Sequence, residues 1–470
     1  MQDIMAILPL LATCAGAILI MLVAAFETFR REGISILGIG LFAFAFFVQL
    51  TVENSSPIMP YSAIFNGMLV TSTFTKAAGL IILACGFFSA IAAQTYFTQN
   101  RWFVLEYYCM MLFAACGMIL MTMAAELITV FVALEIMSLA IYTLIGCDRR
   151  SVIRSEAVLK YLMLGAFAGA FFVMGSVFIY AGAGSTRFVD IARAVSEGGF
   201  IANPALVGGS LLIMVALLFK AAAFPFHAWV VDVYDGAPMP VTGFMATAVK
   251  TAVFCVFANV LLINTELRDG WVGYLFWISV LTMFVGNLIA IGQNNLKRML
   301  AASGIVHSGY LIIGLVAIGS DTVSNGAVIF YLAAYAASTL GIFVALSYLG
   351  GEDEKRIRFD DFNGLARVRP YSAACITIFL LSMAGIPPTA GFMGKFYIIA
   401  GAFKHGFVAL GVLGIISSIL SVWYYLRLII SMYFREPQEE FGVSEMTLAP
   451  LGTFALAAAV FAISFIPVVI

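Results

Sequence analysis

The chain has 470 residues, of which 63% are hydrophobic and only 10% charged, with a mean hydropathy of +1.05. A water-soluble domain carries about 25% charged residues, so the composition excludes that class and indicates a polytopic membrane protein. The formal net charge of -1 says little about partners, and no nucleic acid is expected among them.

The opening stretch IMAILPLLATCAGAILIMLVAAF is too long for a signal-peptide core, follows no basic residues and shows no convincing cleavage site, so it reads as a retained first span. Further runs of roughly 20 apolar residues, the length that crosses a bilayer, begin near Gly33, Met68, Phe103, Leu127, Ile153, Ala205, Val241, Trp271, Ala301, Asn325, Tyr371, Phe407 and Leu448. They predict fourteen transmembrane helices with both termini on one side. The longest polar insert, GGEDEKRIRFDDFNGLARVRP, is expected to form a short connection with some local helix.

Basic residues set the orientation. Fourteen of them (Arg30, Arg31, Arg101, Arg149, Arg150, Arg154, Lys297, Arg298, Lys355, Arg356, Arg358, Arg367, Arg369 and Arg435) fall in loops of one side. The opposite loops hold four, Arg187, Arg193, Arg268 and Lys404. Under the positive-inside rule the richer side is cytoplasmic and both termini face outward.

The seven cysteines lie in or beside apolar runs without a C-x-x-C pair, and read as small packing residues rather than metal or iron–sulfur ligands. No G-x-G-x-x-G, Walker loop or H-E-x-x-H is present. The sequence therefore offers no visible nucleotide, flavin or metal site.

Six basic residues fall inside predicted spans: Lys76, Lys160, Lys220, Lys250, Lys395 and Arg427. Glu135 stands mid-span in LITVFVALEIMSLAIYTLIG, and His307 in SGIVHSGYLIIGL. A charge at the centre of a span costs about 2.5 to 3.5 kcal/mol. Five would oppose folding by roughly 12 to 17 kcal/mol, as much as the usual net stability of about 5 to 15 kcal/mol. Such groups must pair, become neutral or face internal water.

Each also has a plainer reading. Lys76 can snorkel toward the headgroups, and Arg427, which does not release its proton, suits structural pairing. Lys160 lies near the cytoplasmic end of its helix, one turn after Glu156, where an ion pair competes with a relay role. For Lys220, Lys250, Lys395 and Glu135 the competing reading is an ion pair kept for packing. His307 taken alone would be a satisfied core residue.

Two spans are interrupted beside a lysine. In LLFKAAAFPFHAWV, Pro225 has no N–H, so the Ala221 carbonyl loses its helical partner and the turn holding Lys220 is disturbed. In LSMAGIPPTAGFMGKFYII, Gly385, Pro387, Pro388, Gly391 and Gly394 break another span just before Lys395. Freed backbone groups at membrane depth are tolerated only where protein or cavity water satisfies them.

The pairs Lys220 and Lys395, Glu135 and His307, and Lys250 and Arg427 are separated by 175, 172 and 177 positions. One offset thus suggests two five-helix units, residues 103–263 and 271–434, each with a broken third helix, after a three-helix segment 1–102 and before a last helix 448–470. An odd number of spans places the second unit inverted, an architecture of transporters. The fold expected is an all-α polytopic membrane protein of about 14 helices with two inverted five-helix repeats.

The chain resembles the antiporter-like subunits of respiratory complex I, the proton-pumping NADH:quinone oxidoreductase, which are related to the large subunits of Mrp-type Na+/H+ antiporters. The resemblance spans nearly the whole chain and rests on AAELITVFVALEIMSLAIYTL, SEAVLKYLMLGAFAGAFF, FKAAAFPFHAWVVDVYDGAPMPVTGFMATAVKTAVF, NNLKRMLAASGIVHSGYLIIGL and AGIPPTAGFMGKFYI. Within the family it looks like the N-type branch: it ends with its fourteenth helix, without the L-type lateral helix, and carries Lys395 where the M-type has a glutamate.

The resemblance implies that Glu135 and Lys220 form the modulating ion pair of one half-channel. It also implies that Lys160, Lys250 and His307 lie on a hydrated central axis, and that Lys395 gates the other half-channel. It implies no cofactor in this chain, with NADH, FMN, iron–sulfur clusters and quinone held by other subunits. The implied partners are the M-type subunit, the small K-, J- and A-type subunits, the lateral helix of the L-type subunit and lipid, in a bacterial inner membrane with both termini periplasmic.

A lysine of ordinary pKa, about 10.4, holds its proton at neutral pH; burial favours the neutral amine and a nearby carboxylate favours the ammonium. Moving Glu135 toward or away from Lys220 would therefore act as a valve. The expected route runs from the cytoplasm to Lys220, through Lys250 and water near His307 to Lys395, and outward. The rival reading couples Na+ or K+ to H+, although hard cations want several oxygen ligands. A purely structural scaffold is the third.

Overall fold

The computed structural model describes residues 2–25, 31–52, 62–100, 105–148, 151–319, 322–437 and 448–466. Among the basic residues that set the expected orientation, Arg30, Arg101, Arg149 and Arg150 lie outside these. The described residues are nearly all helical; the strands Ser62–Ile64 and Leu69–Thr71 form an antiparallel hairpin. Asn66 and Gly67 turn this hairpin with φ of 56° and 84°, the left-handed pair that tight hairpins favour. The third span consequently begins at Thr73 rather than Met68.

Ten helices among the described residues are long and apolar enough to cross a membrane. Four further apolar helices, Tyr107–Met123, Pro204–Lys220, Pro370–Ala384 and Leu448–Ser464, are shorter. By length alone ten of the fourteen expected spans qualify among the described residues, and the four shorter helices fall in the other four stretches. Two of the short helices are the leading halves of the interrupted spans, whose trailing halves are Ala228–Gly236 and Ala390–Lys404. The interruption falls in the fourth membrane segment of each expected unit, not the third.

The breaks also do not share the lysines' register. Lys220 is the last residue before the first break, whereas Lys395 lies after the second, on the trailing helix. The common offset aligned the lysines through unequal half-helix lengths.

Three helices form the centre. Leu296–Val316 is buried at every residue except Arg298, and Met239–Leu262 and Ser324–Leu349 are buried over nearly all of their length. Small residues bring other helices close: a methyl group added at Gly175 would lie 2.7 Å from the Gly209 carbonyl oxygen, and the reverse distance is also 2.7 Å. Such backbone approach is how helices pack where lipid supplies no hydrophobic drive. The polar insert folds into the short turns Glu352–Glu354 and Phe359–Phe362 and the helix Leu365–Val368, as expected.

Gly391 opens the helix after the second break, where an added methyl would sit 1.8 Å from the Ser382 carbonyl oxygen. Gly391→Ala is expected to destabilise the protein by about 3 kcal/mol. Gly198→Ala, whose methyl meets nothing within 4 Å, is expected to change stability by less than about 1 kcal/mol. Thermal unfolding midpoints of the purified protein check the contrast, and equal midpoints would contradict it.

Candidate functional site

Lys220, Lys250 and Lys395 are 4%, 5% and 5% exposed, so their side chains are interior. The central helix Leu296–Val316 touches Lys250 and Lys395 and the residue after Lys220. Lys250 donates to the Gly304 carbonyl oxygen, and Lys395 lies over the Tyr310 ring, 4.9 Å from its centroid. The Ala221 carbonyl, freed beside Lys220, accepts from Ser308 Oγ at 2.5 Å. Ser308 Oγ also lies 3.2 Å from the Gly304 oxygen that Lys250 uses. One turn of helix thus joins the first break to Lys250.

Other backbone groups of the breaks find protein partners, whereas the buried His227 Nδ1 in the first break has none among the described residues. At the first, Phe224 N–H donates to Thr282 Oγ1 at 3.0 Å, and Trp229 Nε1 reaches back across the gap to the Phe219 carbonyl at 3.2 Å. Ala222, with φ of 59°, turns the chain there. At the second, the Ala384 carbonyl accepts from Lys395 Nζ at 3.0 Å and from Ser418 Oγ at 3.2 Å, while Lys395 also donates to Ser418 at 2.9 Å. The expectation that protein groups would satisfy the broken helices describes both sites.

His307, on the same central helix, sits in a cage of tyrosines. Its Nδ1 lies 2.6 Å from Tyr331 Oη and its Nε2 3.2 Å from Tyr425 Oη, which in turn contacts Ser303. The Tyr335 ring is 4.8 Å from the imidazole and 4.9 Å from Lys250 Nζ, so it bridges the two. Beside them lies a cavity of about 10 Å³ bounded by His307, Tyr331, Tyr335, Ser338, Ser382 and Gly391. That is about the space of one water molecule. Larger cavities open at the flanks: one of about 480 Å³ beside Glu135 and one of about 440 Å³ beside Lys395.

Two sequence expectations are altered by this geometry. Glu135 makes no ion pair with Lys220; the ammonium donates instead to Ser138 Oγ at 2.8 Å, one turn along the same helix. Lys160 is not on the buried axis. Its side chain is 41% exposed and pairs with Glu156 at 2.8 Å and Asp232 at 3.0 Å. The expected helix breakers Pro225, Pro387 and Pro388 do lie in the two breaks. Arg427 contacts the Gln293 carbonyl and Asn294, a structural role, and Lys76 donates to the carbonyls of Leu50 and Val52 at the end of the preceding helix.

A turn of π-helix, Met245–Val249, leads directly into Lys250. Such bulges occur frequently at functional sites, and no residue type in TAVK announces one.

The sequence reading missed a polar cluster at the expected cytoplasmic end. Asp232 and Asp235 lie on the helix after the first break, and Arg298 contacts both at 3.2 Å. Lys297, assigned above to a loop, is 1% exposed and pairs with Glu354 at 2.6 Å. It also donates to the carbonyls of Asp235 and Ala237, at 2.8 and 2.7 Å, closing the C-terminal end of that helix where a cation is favoured. The signal was present in WVVDVYDG, whose aspartates are spaced for one helix face.

Removing one partner of a buried pair strands the other charge, at about 3 to 5 kcal/mol. Glu354→Ala is therefore expected to lower stability by that much, since Glu354 also accepts from Met239 N–H at 2.9 Å. Glu156→Gln, at an exposed pair, is expected to cost less than about 1 kcal/mol. Equal losses in thermal unfolding would contradict the assignment of Lys297 as the buried tie.

Comparison with known proteins places this geometry in a family. Residues 124–421 match the model described as NADH:quinone oxidoreductase/Mrp antiporter, TM, a span that takes in both breaks and the buried Lys220, Lys250, Lys297 and Lys395. A protein from Trichlorobacter lovleyi named NADH-quinone oxidoreductase subunit N is 39% identical over 384 residues, covering 82% of this chain and 78% of that relative. A chain of respiratory complex I from Thermus thermophilus with bound aureothin superposes with a TM-score of 0.82 at 29% identity, over 97% of this chain and 96% of that one. A chain of the Mrp complex from Dietzia shares the fold, with a TM-score of 0.82 at 19% identity over 98% and 94% of the two chains. This multi-pass membrane chain, with buried lysines on three helices beside two breaks, belongs to the NADH:quinone oxidoreductase/Mrp antiporter transmembrane family.

Proposed function

We propose that this chain is a proton-translocating membrane-arm subunit of an NADH:quinone oxidoreductase, driven by redox chemistry in other subunits. The observation that carries the reading is the burial of Lys220 and Lys395 on two broken helices, of Lys250 on the helix Met239–Leu262 and of His307 on the central helix Leu296–Val316. Ammonium groups at that depth are costly, and each here has only one or two uncharged oxygens or an aromatic face as a partner. Groups held so lightly can give up and regain a proton.

In this reading a proton reaches Lys220 from the cytoplasm, passes along the Ser308 and Gly304 turn to Lys250, crosses the tyrosine cage of His307 and leaves from Lys395. Lys160 and Asp232 lie at the entrance. The two units, residues 103–263 and 271–434, supply one half-route each. An outward step opposes about 2.3 kcal/mol per 100 mV, so the energy must arrive from neighbours. NADH, FMN, the iron–sulfur clusters and quinone belong to those other subunits. The neighbours are M-type, K-, J- and A-type subunits and the L-type lateral helix, in a bacterial inner membrane with both termini periplasmic.

The antiporter reading is second because the fold fits it equally. It is disfavoured by the groove beside Glu135, whose lining brings no second carboxylate among the described residues, whereas hard cations take several oxygen ligands.

Lys220→Ala in the assembled complex, reconstituted in vesicles, is expected to abolish most proton pumping coupled to NADH oxidation. Pumping at the unmodified stoichiometry would overturn the relay. Sodium-dependent proton flux through the unmodified complex would favour the antiporter reading instead.

A further inference from the structure

Resting on the relay reading, we propose that Ser138 is a positioning residue that holds the Lys220 ammonium away from Glu135. We propose further that the Gly165 and Gly169 face of the neighbouring helix is the lane along which the ammonium crosses to that carboxylate. The starting observation is the 2.8 Å contact of Lys220 Nζ with Ser138 Oγ. The serine's single hydrogen is committed to the Leu134 carbonyl at 2.6 Å, so its oxygen is left to accept from the ammonium. Glu135, three residues earlier on the same helix, has no hydrogen-bond or ion-pair partner among the described residues, and its carboxylate borders a cavity.

The helix Val152–Ala183 covers both groups. A methyl added at Gly165 would lie 3.7 Å from Lys220 Nζ and 2.1 Å from Tyr142 Oη. One added at Gly169 would lie 3.1 Å from Glu135 Oε1. Residues four apart stand one above the other on a helix, about 5 to 6 Å apart. The covering helix therefore puts no side chain of its own between the ammonium and the carboxylate over roughly one helical turn, and the Tyr142 hydroxyl fills the notch at the Gly165 end.

The rings of Tyr142 and Tyr161 flank Lys220 at 5.7 and 5.2 Å and offer the cation an attractive face on the way. A lysine stem is flexible enough to cover that distance. The two docking positions differ in kind: a neutral hydroxyl at one, a carboxylate at the other. Ser138 thereby sets how long Lys220 stays in the position from which a proton is released.

The test uses the assembled complex. Ser138→Ala removes the hydroxyl dock, and a density map of the variant is expected to show Lys220 Nζ in contact with the Glu135 carboxylate. Loss of a hydrogen bond to a charged group biases the two positions by about tenfold or more, and pumping is expected to slow by a similar factor. Ser138→Thr keeps the hydroxyl and is expected to restore most of the rate. Gly169→Ala narrows the lane and is expected to slow pumping while the map still shows Lys220 on Ser138. A Ser138→Ala map with Nζ unmoved, or unchanged pumping in that variant, would overturn the proposal. If Lys220→Ala abolishes pumping while Ser138→Ala leaves it intact, the relay stands and only this inference falls; if Lys220→Ala pumps normally, the relay itself falls.

Discussion

An ammonium group at membrane depth must find its oxygen atoms inside the protein. The central helix Leu296–Val316 supplies one directly to Lys250 through Gly304, sets Tyr310 beside Lys395, and ties down the break next to Lys220 through Ser308. Gly304 leaves room for the arrangement. A methyl there would stand 3.3 Å from Tyr335 Oη, so that the ring would have to give slightly, and 3.6 Å from Lys250 Nζ, an ordinary contact. Ser308, His307 and Tyr310 follow within the next two turns and serve the first break, the tyrosine cage and Lys395 in turn.

The breaks and the centre perform different tasks. A broken helix exposes carbonyls that a continuous one would consume, and at Ala221 and Ala384 these are taken up by side chains of other helices. Each break is thereby fastened to the lysine network, so a shift in one half-helix changes the surroundings of an ammonium. The aspartates of the Ala228–Gly236 helix and the cations Lys297 and Arg298 hold the far end of the first break to the central helix. A rigid middle with open flanks at Glu135 and Lys395 suits a part whose driving force comes from outside.

Much of this was legible in the sequence. Lysines in apolar runs were conspicuous because each carries a cost that composition makes obvious, and Pro225, Pro387 and Pro388 announce interruptions by chemistry alone. Other features left no trace. A helix buried on all sides shows no amphipathic period, so nothing marked Leu296–Val316 as the centre. Lys297 looked like a loop cation because it stands in the first turn of that helix; its burial is compensated by Glu354, 57 positions away. The choice of Lys220 between Ser138 and Glu135 turns on side-chain geometry within one helical turn, beyond the resolution of residue spacing. The near-equal offsets aligned Lys220 with Lys395 but could not show that one lies before its break and the other after.

The central claim is that these buried groups exchange protons with one another along the helix Leu296–Val316. A density map of the assembled complex that resolves water tests it most directly. The account predicts ordered water or hydroxyl contacts, with no gap beyond about 3.5 Å, from Lys220 past His307 to Lys395. A dry apolar layer separating Lys250 from Lys395 would contradict it.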